Sequence, residues 1–412
     1  MATVKPFQPY RYSSKAGDPA KLVTQPYDKI SPEMQAKYLA ASPHNLVRII
    51  LGQRHDSDTD ADNVYTRGAG HLKQWIAEGI LAQDAEPAFY AYFQEFEVPD
   101  SGERLTRKGF IGLGKVEDYE AGIVYRHEQT LSGPKKDRLQ VLRHSRAHFG
   151  QIFMLYPDRA GDVDKELDAA STSKPVFDVV DEYGARHTLY AISDPAQTAR
   201  IEQLMGPMTL LIADGHHRYE TSLNYRNEHP EDPAAKYVMM TFVNMYSPGL
   251  RILATHRVMR NIEGFNAQSL LEKAKASFTV APYDSPAALK NAMNQSTPQS
   301  VRIGIVTGGG AWLLTRPRKT DEMDVPVLHK EIIGDWLGIS EEAVREEKYI
   351  KYVRGIDAAV KEVQEKGAQV AFLLDPTPID DMARIAFNGG VMPQKSTDFY
   401  PKLLTGVTIY KL

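Results

Sequence analysis

Five consecutive residues, Asp214-Gly215-His216-His217-Arg218, bring together a carboxylate, a glycine, two imidazoles and a guanidinium, the groups that bind and activate an anion. The apolar run Met208 to Ala213 before them reads as a short buried strand, and Tyr219, Leu223 and Tyr225 after them carry a helical pattern. A strand that runs directly into a helix aims backbone N–H groups and the positive end of the helix dipole beyond the strand end. Gly215 lets the backbone approach a phosphate, Arg218 offers a bidentate fork, and His216 and His217 add donors or proton-transfer groups. Asp214 suits the role of helix cap, magnesium ligand or proton acceptor. A plainer reading makes Asp214 an N-cap, Gly215 a turn residue and the next three a solvated first turn. Cations are unfavourable at a helix N-terminus unless an anion neutralises them, and this favours the anion site.

Other segments offer supporting groups. Glu128, between His127 and the cations Lys135, Lys136 and Arg138, is the candidate for a catalytic base or a magnesium ligand. The cations follow Ser132-Gly133-Pro134, which lacks the spacing of a P-loop, so a solvated basic turn competes with a nucleotide contact. His144 and His148 have the spacing of one helical face, but Ser145 stands where a zincin motif has its Glu, and a basic surface with Arg143 and Arg146 is the better reading. His256 and Arg257, after the strand-like Leu250 to Ala254, are candidate phosphate contacts, with the end of an edge strand as the alternative. Lys395 and Ser396, with Thr397, supply a cation and hydroxyls to the same end, or else an ordinary capped turn. Gly308-Gly309-Gly310 leads into Ala311-Trp312-Leu313-Leu314-Thr315, which reads as a strand and makes the triplet a hairpin turn rather than a phosphate loop.

The chain that must position these groups has 412 residues, enough for two or three compact units. With 42% hydrophobic and 25% charged residues it has the composition of a folded protein. Its formal charge of -4 gives no global attraction to nucleic acid or anionic membranes, and there is no cysteine for disulfides, thiolate metal sites or a thiol nucleophile. No segment approaches the roughly 20 apolar residues of a membrane span, and the first ten lack the pattern of a secretory leader, so a cytoplasmic location is expected.

The pattern of elements is α+β. Leu46 to Leu51 reads as a strand, Val64 to Ile80 as a helix, and Phe89 to Val98 with Thr106 to Leu113 as a hairpin turning at Asp100-Ser101-Gly102. Gln140 to Phe149 reads as a helix, Ile152 to Tyr156 as a strand, and Pro175 to Val180 with Thr188 to Ile192 as a second hairpin. The character changes near Asn261, giving an expected catalytic or nucleotide-binding domain over 1–260 and a smaller α+β domain over 261–412.

Several blocks resemble the domain-of-unknown-function 1015 family of bacterial and archaeal proteins, often labelled ParB-like: Gln25-Pro26-Tyr27-Asp28, Tyr125 to Thr130, Ala213 to Tyr219, Thr255-His256-Arg257 and Met392 to Thr397. More distantly, the strand, the Asp-Gly-His-His-Arg turn and the helix resemble the phosphate-binding motif of the ParB/sulfiredoxin superfamily, which implies a mixed sheet with helices. In that superfamily sulfiredoxins carry a reactive cysteine where His216 stands here, which argues against sulfinic-acid reduction. The free-serine kinases use an Asp-Gly-His type motif for the transferred phosphate, with a remote Glu as base. The resemblance therefore implies a nucleotide-dependent phosphotransferase, or in the reverse sense a phosphatase, acting on a small metabolite such as serine or phosphoserine. ATP or ADP with magnesium is the implied cofactor and a nucleotide or phosphometabolite the implied partner. The alternative is a regulatory protein that binds CTP or a related nucleotide without catalysis; against a DNA-binding version stand the negative charge and the lack of a basic recognition helix.

Overall fold

The computed structural model describes every residue except 100, 129–131, 296–298, 321 and 394, and nothing is stated for the side chains of 132–134. Asp100 of the expected turn and Gln129, Thr130 and Gln394 of the family-like blocks thus lie outside the described residues. The chain forms two compact units: Met1–Arg126, Thr130–Arg251 and Pro401–Leu412 make the first, and His127–Gln129 with Ile252–Tyr400 make the second.

The first unit is built on a mixed sheet whose strands run in the order Val124–Tyr125, Leu210–Asp214, Ile152–Tyr156, Tyr237–Asn244, Arg104–Lys115, Phe89–Glu97, Arg186–Ile192 and Phe177–Val180, with Val4–Lys5 also paired to Arg104–Lys115. Alternation along each strand sends side chains to opposite faces. One face contributes Phe89, Ala91, Phe110, Met154, Ile212 and Phe242 to a core closed by Val163, Leu167, Ile201 and Met205 from the helices Asp162–Ala170 and Pro195–Met205. The opposite face carries buried apolar residues such as Ile111, Leu155, Leu211 and Met239, and among them a buried polar group made of Tyr92, Gln94, Arg107 and His187. The segment Pro401–Leu412 runs back through this unit. Thr405 pairs with Thr24 through backbone hydrogen bonds of 2.8 and 3.1 Å, and Tyr410 and Lys411 pair with His148 and Ala147.

The expected hairpins and the strand-to-helix passage at 208–228 form as read. Leu46 to Leu51 does not extend: Val47–Ile50 is a short helix, started by the Asn45 side chain accepting the Val47 amide at 2.9 Å. A short apolar run fits a buried helix turn and a buried strand equally, and here it packs against Leu72 and Trp75. The basic helix spans Ser132–Ser145 and stops because Arg146 takes a left-handed φ of 48°. His144 is therefore helical while His148 is in a strand and stacks on Tyr410, so the two do not share a helical face.

The second unit holds a six-stranded antiparallel sheet in the order Thr279–Tyr283, Gly310–Pro317, Ser300–Thr307, Val370–Leu374, Thr255–Met259, Ile350–Arg354, with an apolar cluster on each face. Gly308 and Gly309 form the hairpin turn. Asp324 is buried here, and burial, helped by Asp375 and opposed by Arg318, pushes its carboxyl up to about 6. A raised folded-state value stabilises the fold below the ordinary carboxylate range near 4 and loses that contribution as pH rises through 6. Asp324→Asn is expected to remove roughly 2 kcal/mol of the fall in stability between pH 4 and pH 7. Urea denaturation at several pH values checks this, and an unchanged pH profile would refute it.

Candidate functional site

The strand Leu210–Asp214 ends on a bulge. Its register against Ile152–Tyr156 shifts between Ile212 and Asp214, which re-aims the Asp214 side chain at the sheet end. Gly215 then turns the chain with φ 97° and ψ 26° and caps the helix His216–Glu228 without offering a side chain. An added Cβ at Gly215 would stand 3.0 Å from three atoms of the Arg218 guanidinium, so glycine is needed both for the left-handed backbone and for Arg218 to fold back across the turn. The plain N-cap role does not describe Asp214: it lies one residue before the cap and its Oδ1 accepts the Gly215 amide at 2.9 Å.

Cations surround Asp214. Lys402 Nζ lies 3.4 Å and Arg218 Nη2 3.9 Å from its Oδ2. Burial pushes this carboxyl up, but Lys402, Arg218, Lys29 and His216 outweigh that and hold it far below the usual carboxylate range. Asp214 is thus a fixed negative charge at neutral pH and a poor proton acceptor. Arg218 Nη1 donates to the Gln151 carbonyl, and Gln151 itself is 1% exposed with neither end of its amide partnered among the described residues. His216 is buried at the first position of the helix.

The family-like segment at Tyr27 reaches the same corner. The Arg138 guanidinium sits 4.1 Å over the Tyr27 ring. Burial and Asp28 raise the Tyr27 phenol to about 12 against the lowering influence of Arg138 and Arg218. A narrow pocket is lined by Pro26, Tyr27, Arg138, Gly150, Arg218 and Thr405. Lys135, by contrast, is engaged by Glu220 at 2.7 Å together with Arg126 at 3.3 Å, and Arg143 by Glu228, so much of the basic helix is matched by acids of the helix His216–Glu228.

The structure therefore brings Asp214, Gly215, His216, His217 and Arg218 together at one strand-to-helix turn of the first unit. Glu128, His256, Arg257, Lys395 and Ser396 belong to the second unit. There Glu128 bridges to Met392, and His127 Nε2 lies 2.8 Å from Thr397 Oγ1. His256 Nδ1 accepts the Leu374 amide at 3.2 Å, and burial, reinforced by Arg257, lowers its imidazole to about 3. Arg257 is 1% exposed and donates to His329, to the Thr255 carbonyl and to the Lys395 carbonyl. Lys395 takes a left-handed φ of 56°, and the Ser396 hydroxyl donates to Pro393 O at 2.6 Å.

Lys402, Lys29 and Gln151 escaped the reading of the sequence, and no local spacing marks them. Lys402 is 188 residues from Asp214, and only the return of the chain through the first unit connects them. Among the described residues no group of three or more His, Asp or Glu is arranged to hold a metal ion. Asp214, a single carboxylate among cations, fits a magnesium ion only as one ligand of a metal–nucleotide complex, where phosphates and water supply most of the oxygens.

A family model described as "Protein of unknown function (DUF1015)" matches residues 4–340. No curated protein matches the chain. A free serine kinase variant in complex with ADP is similar with a TM-score of 0.37 and 12% identity, over 69% of this chain and 89% of that one. A conserved hypothetical protein from Pyrococcus furiosus is similar with a TM-score of 0.37 and 11% identity, over 70% and 92%. C-terminally truncated SbnI from Staphylococcus aureus gives 0.38 and 12%, over 73% and 87%. No helix among the described residues is long and apolar enough to cross a membrane.

Proposed function

The chain belongs to that family, and we propose that its first unit binds the phosphate of a nucleotide or phosphometabolite and acts as a nucleotide-dependent phosphotransferase, or in reverse a phosphatase, on a small hydroxylated metabolite such as serine or phosphoserine. The observation that carries the reading is the helix start at Gly215, where Arg218 folds across the turn and positive charge exceeds the single carboxylate of Asp214. Such a corner is complementary to a phosphate dianion.

In this reading the amides at the helix start and Arg218 hold the phosphate and neutralise charge as the phosphorus–oxygen bond to the leaving group breaks. Asp214, kept ionised, fixes the cations and would supply one oxygen to magnesium carried by the nucleotide; ATP or ADP is the proposed donor. The substrate hydroxyl attacks the phosphorus and gives its proton to an acceptor. His216, at the same turn, is the proposed acceptor, since Asp214 is held too acidic for the task.

Phosphorus NMR of the protein with ATP or ADP, magnesium and a panel of hydroxylated amino acids tests the proposal. A phosphomonoester signal is expected with at least one amino acid, reduced about 100-fold or more in rate by His216→Ala. Neither product nor phosphate release under any combination would sink the catalytic reading. Nucleotide binding without turnover would instead favour the regulatory, CTP-binding alternative.

A further inference from the structure

The polar layer on the second face of the first unit's sheet converges on one short stretch of chain. Arg107 Nη2 donates to the Pro401 carbonyl at 2.5 Å, Gln94 Nε2 donates to the Lys402 carbonyl at 2.9 Å, and the Leu404 amide donates to Tyr92 Oη at 3.3 Å. Behind these contacts the layer is tied together. Arg107 Nε donates to Gln94 Oε1 at 2.9 Å, Tyr92 Oη meets His187 Nδ1 at 2.7 Å, and His187 Nε2 meets Asp181 Oδ2 at 3.1 Å. Gln25 Nε2 also donates to Asp181 Oδ2, at 3.2 Å. Tyr92, Gln94, Arg107 and His187 are at most 2% exposed.

Burying a guanidinium, an imidazole and a carboxylate to hold three backbone groups is not the cheapest way to fasten a segment. Well-packed apolar residues serve stability as well or better. Thr405, one residue further on, is held by plain backbone pairing with Thr24. What the polar layer adds is fixed geometry at 401–404, and the side chain issuing from that stretch toward Asp214 is Lys402. Its side chain is 10% exposed, and its Nζ stands 3.4 Å from Asp214 Oδ2, longer than the roughly 2.7–2.9 Å of a tight charge-assisted bond. The ammonium is thus aimed at the corner through Asp214.

We infer that Lys402 contacts the bound phosphate directly and that Arg107, Gln94, Tyr92, His187 and Asp181 are positioning residues that hold it in place. This rests on the reading of the Gly215 corner as a phosphate site. Asp214 keeps the ammonium pointed at the corner when no anion is bound. A phosphate dianion then engages Lys402 and Arg218 from two sides, a point charge and a fork. The ligand class is a phosphate ester or diphosphate, and the free inorganic ions share its chemistry.

Calorimetric titration of the full chain with inorganic pyrophosphate and with ADP tests the inference. Lys402→Met is expected to weaken both by tenfold or more, with Lys402→Arg recovering part of the loss. Tyr92→Phe removes the hydroxyl that receives the Leu404 amide and is expected to weaken binding by three- to tenfold in the wild-type background, yet to have no further effect in Lys402→Met. A merely structural tyrosine would act equally in both. Should Lys402→Met fail to fold, Lys402→Gln replaces it. If Lys402→Met and Lys402→Gln bind pyrophosphate within twofold of wild type while Arg218→Ala loses it, the inference falls and the phosphate site stands. Equal effects of Tyr92→Phe in both backgrounds remove the positioning role. If wild type binds neither probe, the site reading and the inference fall together.

Discussion

Arg218→Ala is expected to remove at least about half of the thermal stabilisation that ADP or pyrophosphate confers, while leaving the ligand-free protein close to wild type. The guanidinium lies over Gly215, donates to the Gln151 carbonyl and stands 3.9 Å from Asp214, too far for a strong ion pair. Losing these contacts costs the free protein about 1 kcal/mol. For the ligand the loss is larger, because a charged donor to phosphate is worth roughly 1.5–3 kcal/mol, or about ten- to a hundredfold in affinity. At a ligand concentration near 100 times the wild-type Kd, stabilisation of about 2.7 kcal/mol should shrink to about 0.4–1.4 kcal/mol. Differential scanning fluorimetry over a ligand series reads this. Arg218→Lys should be intermediate, since an ammonium replaces charge but not the fork. Equal shifts in wild type and Arg218→Ala would place the phosphate elsewhere.

The largest effect on stability is expected from Arg107→Ala, a loss of about 3–5 kcal/mol in urea denaturation. Arg107 is 1% exposed, its guanidinium lies 4.7 Å over the Phe153 ring, and burial draws it down to about 9. Truncation opens a cavity and takes a donor from Gln94 Oε1 and from the Pro401 carbonyl. Arg107→Met refills most of the volume without a buried charge and should recover much of the stability. It does not restore the donor to Pro401, so pyrophosphate affinity should stay low when stability returns. Wild-type stability in Arg107→Ala would show that the buried guanidinium holds nothing in place.

The strand, the Asp-Gly turn and the following helix were legible because apolar periodicity, a glycine and a cation-rich helix start all point the same way at 208–228. The hairpins were legible for similar local reasons. Leu46 to Leu51 was not, since a short apolar run satisfies either a strand or a buried helical turn. His144 and His148 would share a face only in a helix running past Arg146, whose left-handed φ ends it. The polar layer was hidden by its own regularity. In Phe89–Glu97 the alternation of Tyr92 and Gln94 with apolar neighbours is what a half-solvated strand shows, and nothing nearby announces that 401–404 covers that face. Lys402 was invisible for the same reason, as its meaning comes from a partner 188 residues away.

The return of 401–412 into the first unit also sets an order of events during synthesis. Thr24 waits for Thr405 and Tyr10 for Ile409, and Tyr92, Gln94 and Arg107 lack their backbone partners in 401–404 until the ribosome has made all of 252–400. Contacts of such long sequence separation close late and slowly. On a nascent chain the Gly215 turn can form while Lys402 is still untranslated, and Asp214 gains that ammonium only once 401–412 has left the exit tunnel.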